Sequence, residues 1–160
     1  MDLTPKHADE SVTEMVQVVL PNDANPLGFI LGGTVMHLID IAGAIACHRH
    51  TRSLLVTAAV DDLQFLHPIK VGDLIILKAR VTCTFTTSLE VQVDVFSEET
   101  LTGKRRLTSR AFLTFVAIAQ DGRRVPVPPL AVDTDQDRMV CEQAHARRAA
   151  RLRKKVQSER

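Results

Sequence analysis

Two glycines at the head of an apolar run, and one carboxylate seven residues beyond them, are the groups in this sequence best suited to chemistry. Asp40 is the only formally charged residue between Asp23 and Arg49. A carboxylate in such surroundings needs a partner or a task. As a partnered group it would bond a neighbouring strand, or His37 three residues earlier. As a working group it suits a general base or a nucleophile in a partly dry site. The Gly32-Gly33 pair permits close backbone approach at the start of a helix. Unpaired N–H groups and the helix dipole there favour developing negative charge; simple close packing is the other reading. Asn25, just before Pro26, reads first as a turn former.

The spacing sets a condition. Gly33 and Asp40 lie seven residues apart, about 10 Å along a helix rising 1.5 Å per residue. A reacting carbonyl must lie within about 3 Å of its oxyanion donor, with the base close to the attacking water. One copy's helix start and its own Asp40 are too far apart for that. Two antiparallel helices meeting across a dimer would bring one copy's Asp40 beside the other copy's Asn25 and glycine loop.

These residues need elements to hold them. Val12 to Leu20 reads as a strand closed by Pro21. From Gly32 a helical period places Val35, Leu38, Ile39, Ala42, Ile45 and Ala46 on one face. Met36, Gly43 and Cys47 make the other side nearly as apolar. About eighteen residues of this kind predict a buried core helix rather than a membrane span, ending at His48-Arg49-His50. Leu55 to Leu66 predicts a strand. In Leu74 to Thr84, Ile75, Leu77, Ala79, Val81 and Cys83 alternate with Lys78, Arg80 and Thr82. Leu89, Val91, Val93 and Val95 alternate with polar residues, and Arg106 to Ile118 predicts another long strand. The proline-rich Val125 to Pro129 ends the body as an extended segment.

The expectation is an α+β domain over residues 1–132: a curved antiparallel sheet wrapped around one central helix. A basic C-terminal helix or tail follows over residues 133–160. One helix leaves a sheet edge uncovered, so pairing of that edge with a second copy is expected, giving at least a dimer.

Composition narrows the function classes. The chain has 160 residues, 45% apolar and 24% charged, as in ordinary globular proteins. Its N-terminus has no signal-peptide pattern. Cys47, Cys83 and Cys141 are widely spaced and odd in number, which predicts neither a disulfide framework nor a metal knuckle and suits a reducing cytoplasm. His48 and His50 point to different sides of a helix, and Asp61 and Asp62 to opposite faces of a strand, so neither pair predicts a metal site or carboxylate dyad. Residues 138–160 carry eight Lys or Arg against two Glu, a surplus of +6, leaving −5 for the rest. Such a tail is a solvated helix, a frayed end or a contact for something acidic. With no Trp or Tyr to stack on bases, a nucleic-acid module is disfavoured.

The ordered segments Asn25-Pro-Leu-Gly28, Gly32-Gly33-Thr-Val-Met-His-Leu-Ile-Asp40 and Ala42-Gly43-Ala44 carry a family likeness. So do Ala59-Val-Asp61, Phe65-Leu-His-Pro68, Val71-Gly-Asp73, Thr87-Ser88-Leu-Glu-Val91 and Thr114-Phe-Val-Ala117. Together, over roughly residues 12 to 130, the chain resembles the hotdog-fold acyl-CoA thioesterases, in the branch of brain-type and bacterial acyl-CoA hydrolases.

The resemblance implies hydrolysis of acyl-CoA to a carboxylate and free coenzyme A, which enters as part of the substrate, with no metal or redox cofactor. It implies that Asn25 and Asp40 are the two catalytic positions, paired across a dimer, with Gly32 and Gly33 supplying backbone donors. Leu27, Gly28, Phe29 and Met36 would line the acyl slot, and Thr87 and Ser88 would meet the pantetheine arm or simply form a hairpin turn. Arg110, like Arg105, Arg106 and the tail arginines, would be a candidate for the coenzyme A phosphates. A trimer of dimers in the cytoplasm is implied. Some members carry a His just before the glycine pair, where this chain has Leu31. The alternative is a non-enzymatic acyl-CoA-binding or sensor module on the same fold.

Overall fold

A computed structural model describes residues 1–160. A short strand, β1 (Thr13–Val18), leads through one 3-10 turn (Pro21–Asp23) into a long helix, α1 (Gly32–Thr51). Four long strands follow: β2 (Leu54–Phe65), β3 (Leu74–Thr84), β4 (Ser88–Glu98) and β5 (Arg105–Ile118). A second helix, α2 (Asp135–Ser158), closes the chain. The strands form one antiparallel sheet in the order β1-β3-β4-β5-β2. The expected curved sheet around a central helix is the observed architecture.

α1 lies on the inner face of the sheet because nearly its whole circumference is apolar. Val35, Leu38, Ile39, Ala42, Ala46 and Cys47 pack against Leu77, Val91, Val93, Leu113 and Phe115 in one continuous core. Gly43 lets the helix sink: a Cβ there would stand 3.1 Å from Val91 Cγ1 and 3.3 Å from a Phe115 ring carbon. The helix ends on a left-handed residue, Arg52 (φ 52°), whose N–H donates to the His48 carbonyl. No helix is long and apolar enough to cross a membrane.

The basic C-terminus is a docked helix. Thr134 caps α2, its Oγ1 accepting from the Asp137 N–H at 3.0 Å. α2 then crosses the outer face of the sheet. Arg147 grips Glu90 of β4 through two bonds of 3.0 and 2.7 Å and stacks 3.6 Å over the Phe112 ring of β5. Arg151 bonds Asp61 of β2 at 2.6 Å. Two tail arginines thus neutralise carboxylates of this chain's own sheet.

The expectation of three unpaired cysteines is corrected: Cys83 and Cys141 form a disulfide joining β3 to α2. The reason is a β-bulge. Register slips between Val81 and Cys83, so Cys83 leaves the inward row of Ile75, Leu77, Ala79 and Val81 and turns, with Thr82, toward α2. Only Cys47 remains a free thiol; it is buried, and burial pushes its pKa up, keeping it protonated and inert.

Candidate active site

The loop before α1 is organised by Asn25. Its side-chain Oδ1 accepts the backbone N–H of Leu27 at 3.0 Å and of Phe29 at 3.1 Å. The Asn25 N–H donates to the Phe29 carbonyl, and Gly28 adopts φ 85° to close the turn. The turn-forming role is therefore real. It also fixes the amide: because both ligands are N–H donors, the accepting atom is the oxygen, and Nδ2 is left with no partner in the chain. Beyond it, Leu31 has no side-chain oxygen to cap α1. The first helical bond is Val35 N–H to the Leu31 carbonyl, leaving the N–H groups of Gly32, Gly33 and Thr34 free. Asn25, Phe29, Gly32, Phe65 and Ser109 border a cavity of about 390 Å³. Glycine at position 32 lets the Phe65 ring come in close, 3.5 Å from where a Cβ would stand.

Asp40 lies two turns further along α1. Its Oδ1 accepts a 2.7 Å hydrogen bond from Thr57 Oγ1 on β2, while Oδ2 has no partner and His37 makes no bond to it. The expected bond to a neighbouring strand is therefore present on one oxygen, and the other oxygen has no partner in the chain. Thr57 is the residue that sequence reasoning misses. Its one signal is a lone hydroxyl in the apolar run Val56-Thr57-Ala58-Ala59. Asp40 does not line the cavity beside Asn25, so a single protomer keeps the two apart.

The other residues singled out by type and resemblance are scattered. Gly33 stands open to solvent, with nothing within 4 Å of where a Cβ would stand. Leu27 is 80% exposed and Met36 47%. Thr87 and Ser88 occupy the β3–β4 hairpin at the far end of α1, where Ala117 N–H bonds the Thr87 carbonyl and His50 Nε2 lies 2.8 Å from the Pro128 carbonyl. Arg110 forms a two-pronged pair with Asp94 on the outer face, at 2.6 and 3.0 Å, which raises its pKa further. Its guanidinium edge is already engaged. His145 of α2 comes within 4.8 Å of Cys83 and Cys141, but the two sulfurs are bonded to each other, so neither is a thiolate ligand.

Comparison with known proteins places the chain in a family. The Thioesterase superfamily pattern matches residues 27–104. An uncharacterized acyl-CoA thioester hydrolase of Bacillus subtilis is 37% identical over 94% of this chain and 87% of its own length. The chain belongs to the acyl-CoA thioester hydrolases of the thioesterase superfamily. Among solved members, a hexameric acyl-CoA thioesterase superposes with TM-score 0.89 at 38% identity, over 94% of this chain and 97% of that one. The acyl-CoA hydrolase of Staphylococcus aureus, solved with butyryl coenzyme A and coenzyme A, superposes with TM-score 0.87 at 32% identity, over 96% and 94% of the two chains. This thioester hydrolase spans only 38% of the longer human cytosolic acyl coenzyme A thioester hydrolase, to which it is 32% identical over 89% of its own length. The chain is an enzyme of the hotdog fold, and the sensor alternative falls away.

Proposed function

We propose that this hydrolase cleaves acyl-CoA to a fatty acid and coenzyme A in a site shared by two subunits, with Asp40 of one and Asn25 of its partner. The observation that carries the reading is the half-occupied Asp40 carboxylate: Thr57 holds Oδ1 and leaves Oδ2 to act on water. That oxygen takes a proton from a water molecule as the water attacks the thioester carbonyl. The oxyanion that forms meets Nδ2 of Asn25 and the free N–H groups at the head of α1, donors fixed before the charge appears. Collapse expels the coenzyme A thiolate, a far better leaving group than an alkoxide. Each step has a side chain or backbone group to perform it, so no metal or redox cofactor is invoked.

Further support comes from the Staphylococcus aureus enzyme. Its alanine variants replace one Asn, one Asp and one Thr separated by the same intervals along the chain as Asn25, Asp40 and Thr57. The dimer is supported by the sheet: β2 is an edge strand whose Leu54, Val56, Val60 and Phe65 are exposed. Pairing of two β2 strands about a twofold axis would cover them and carry Asp40 toward the partner's Asn25. The acyl chain would run between Leu27, Phe29 and Met36. A hexamer, as in the relative described by that word, would be a trimer of such dimers. The cytoplasm is the proposed compartment, in keeping with the human relative's description as cytosolic.

Release of free thiol from acyl-CoAs of graded chain length tests this directly. Asp40→Asn is expected to lower kcat by about 10²–10⁴-fold and Asn25→Ala by about 10²-fold. Thr57→Val, which removes only the anchor, is expected to cost about tenfold. Wild-type turnover in Asp40→Asn would end the assignment.

A further inference from the structure

Three side chains suited to a soft metal ion meet where α2 crosses β3. Cys83 turns outward from β3 because of the bulge after Val81. Cys141 and His145 lie four residues apart on α2, about one turn, so both project from the same side of the helix. The two sulfurs and a ring nitrogen of His145 all lie within 4.8 Å of one another. The imidazole packs edge-on against Phe85, with 5.0 Å between ring centroids, and bonds no other group of the chain.

Contacts without sulfur keep this stretch of α2 in place. Ala144, between the two α2 ligands, is fully buried. One residue beyond His145 and its neighbour, Arg147 grips Glu90, and Arg151 holds Asp61. The three candidate ligands therefore stay together when the sulfurs are parted. In the disulfide form both sulfurs are closed to metal. The cytoplasm proposed above holds an excess of small-molecule thiols, and in such a compartment disulfides are transient or redox-sensing. Two molecules of a small thiol reduce the bridge and leave joined as their own disulfide, while Cys83 and Cys141 each become a thiol.

We propose that the reduced Cys83 and Cys141, together with His145, bind a zinc ion that takes over from the disulfide in tying α2 to β3. Each thiol gives up its proton as zinc enters, so the two thiolates balance the charge of the ion. Two thiolates and one imidazole are a zinc donor set, and ligands four apart on a helix face are a spacing that zinc sites use. With bonds of about 2.3 Å to sulfur and about 2.0 Å to nitrogen, ligand atoms around a tetrahedral zinc stand about 3.5–3.8 Å apart. His145 is exposed, so a small rotation of its side chain closes the remaining gap of about 1 Å. Water completes the tetrahedron on the exposed side. The ion sits on the face of the sheet opposite α1, apart from Asp40 and Thr57, and its role is structural.

Cobalt(II) is the probe, because it takes the place of zinc and reports thiolate ligation by a near-ultraviolet charge-transfer band. The full chain is reduced with a phosphine, freed of metal without air, and titrated. The reduced wild type is expected to bind one cobalt ion per chain with that band, to exchange it for zinc, and to show no band in the disulfide form. His145→Ala keeps both cysteines and still closes the disulfide, so it reads ligation apart from folding. It is expected to weaken binding by more than about tenfold, the least that losing even an outer partner costs many metal sites. Zinc should also raise the urea midpoint of the reduced wild type and leave that of Cys141→Ser unmoved. No band in the reduced wild type, undiminished affinity in His145→Ala, or an equal zinc effect on Cys141→Ser would overturn the site.

Discussion

In the proposed mechanism Asn25 divides its side chain between structure and chemistry, one oxygen tied to the Leu27 and Phe29 amides and one NH₂ group free. Asp40 does the same through Thr57. Each functional group is pre-oriented by its structural half, which is how a site gains precision without extra residues. Asp40 stands out in the sequence as a lone carboxylate in an apolar helix, whereas Asn25 reads by itself as a turn former before Pro26 and is singled out by the family resemblance. Sequence could not name Thr57, because the contact joins a strand to a helix across a fold. His50 is a different case. It is 1% exposed with Nε2 2.8 Å from the Pro128 carbonyl; a carbonyl only accepts, so Nε2 carries the proton. Burial holds its pKa below the ordinary 6.5, with Lys6 adding to the effect and the Pro128 bond and Glu10 opposing it. Below pH 6.5 the unfolded chain then binds more protons than the native one, so stability falls as pH drops through that value toward the lower native pKa. Thermal melts at pH 7.5 and pH 5.5 should therefore show a smaller loss of Tm on acidification in His50→Gln than in the wild type; equal losses would contradict this.

α2 shows how an element is held by a few long-range contacts. Glu90 is 2% exposed and takes hydrogen bonds from Thr82 and Arg147. Removing Arg147 leaves that carboxylate buried without its partner, so Arg147→Ala is expected to destabilise the fold by about 3–5 kcal/mol in urea titration, whereas Glu90→Leu/Arg147→Met should lose less. A loss below about 1 kcal/mol in the single variant would mean that α2 docks by other means. β3 and β4 were legible because apolar and polar residues alternate along most of their length, and the bounds of β3 match the reading from sequence. The docking of α2 was not legible: its partners Cys83, Glu90 and Asp61 lie far away in sequence, on three different strands. The bulge after Val81 also breaks the alternation on which the reading of Cys83 depended. A second bulge, between Val95 and Phe96, intervenes between Arg106 and Arg110, so counting alone could not sort the β5 arginines by face.

At the scale of the whole molecule, the proposed site calls for a second protomer. Asp40 and the Asn25 cavity are separate within one chain, while β2 presents an unpaired apolar edge next to Thr57. A twofold pairing of that edge answers both facts at once, and the exposed Leu27 and Met36 lie at the same end of α1 that such a pairing would cover. In the proposed dimer each site takes its carboxylate from one subunit and its amide from the other. Co-expression of Asp40→Asn and Asn25→Ala chains tests it, since every mixed dimer then has one site with both residues intact and one with neither. Thiol release from an equal mixture, compared with each variant alone, is predicted to recover to about a quarter of wild-type activity; activity that stays at the level of the parent variants would contradict the shared site.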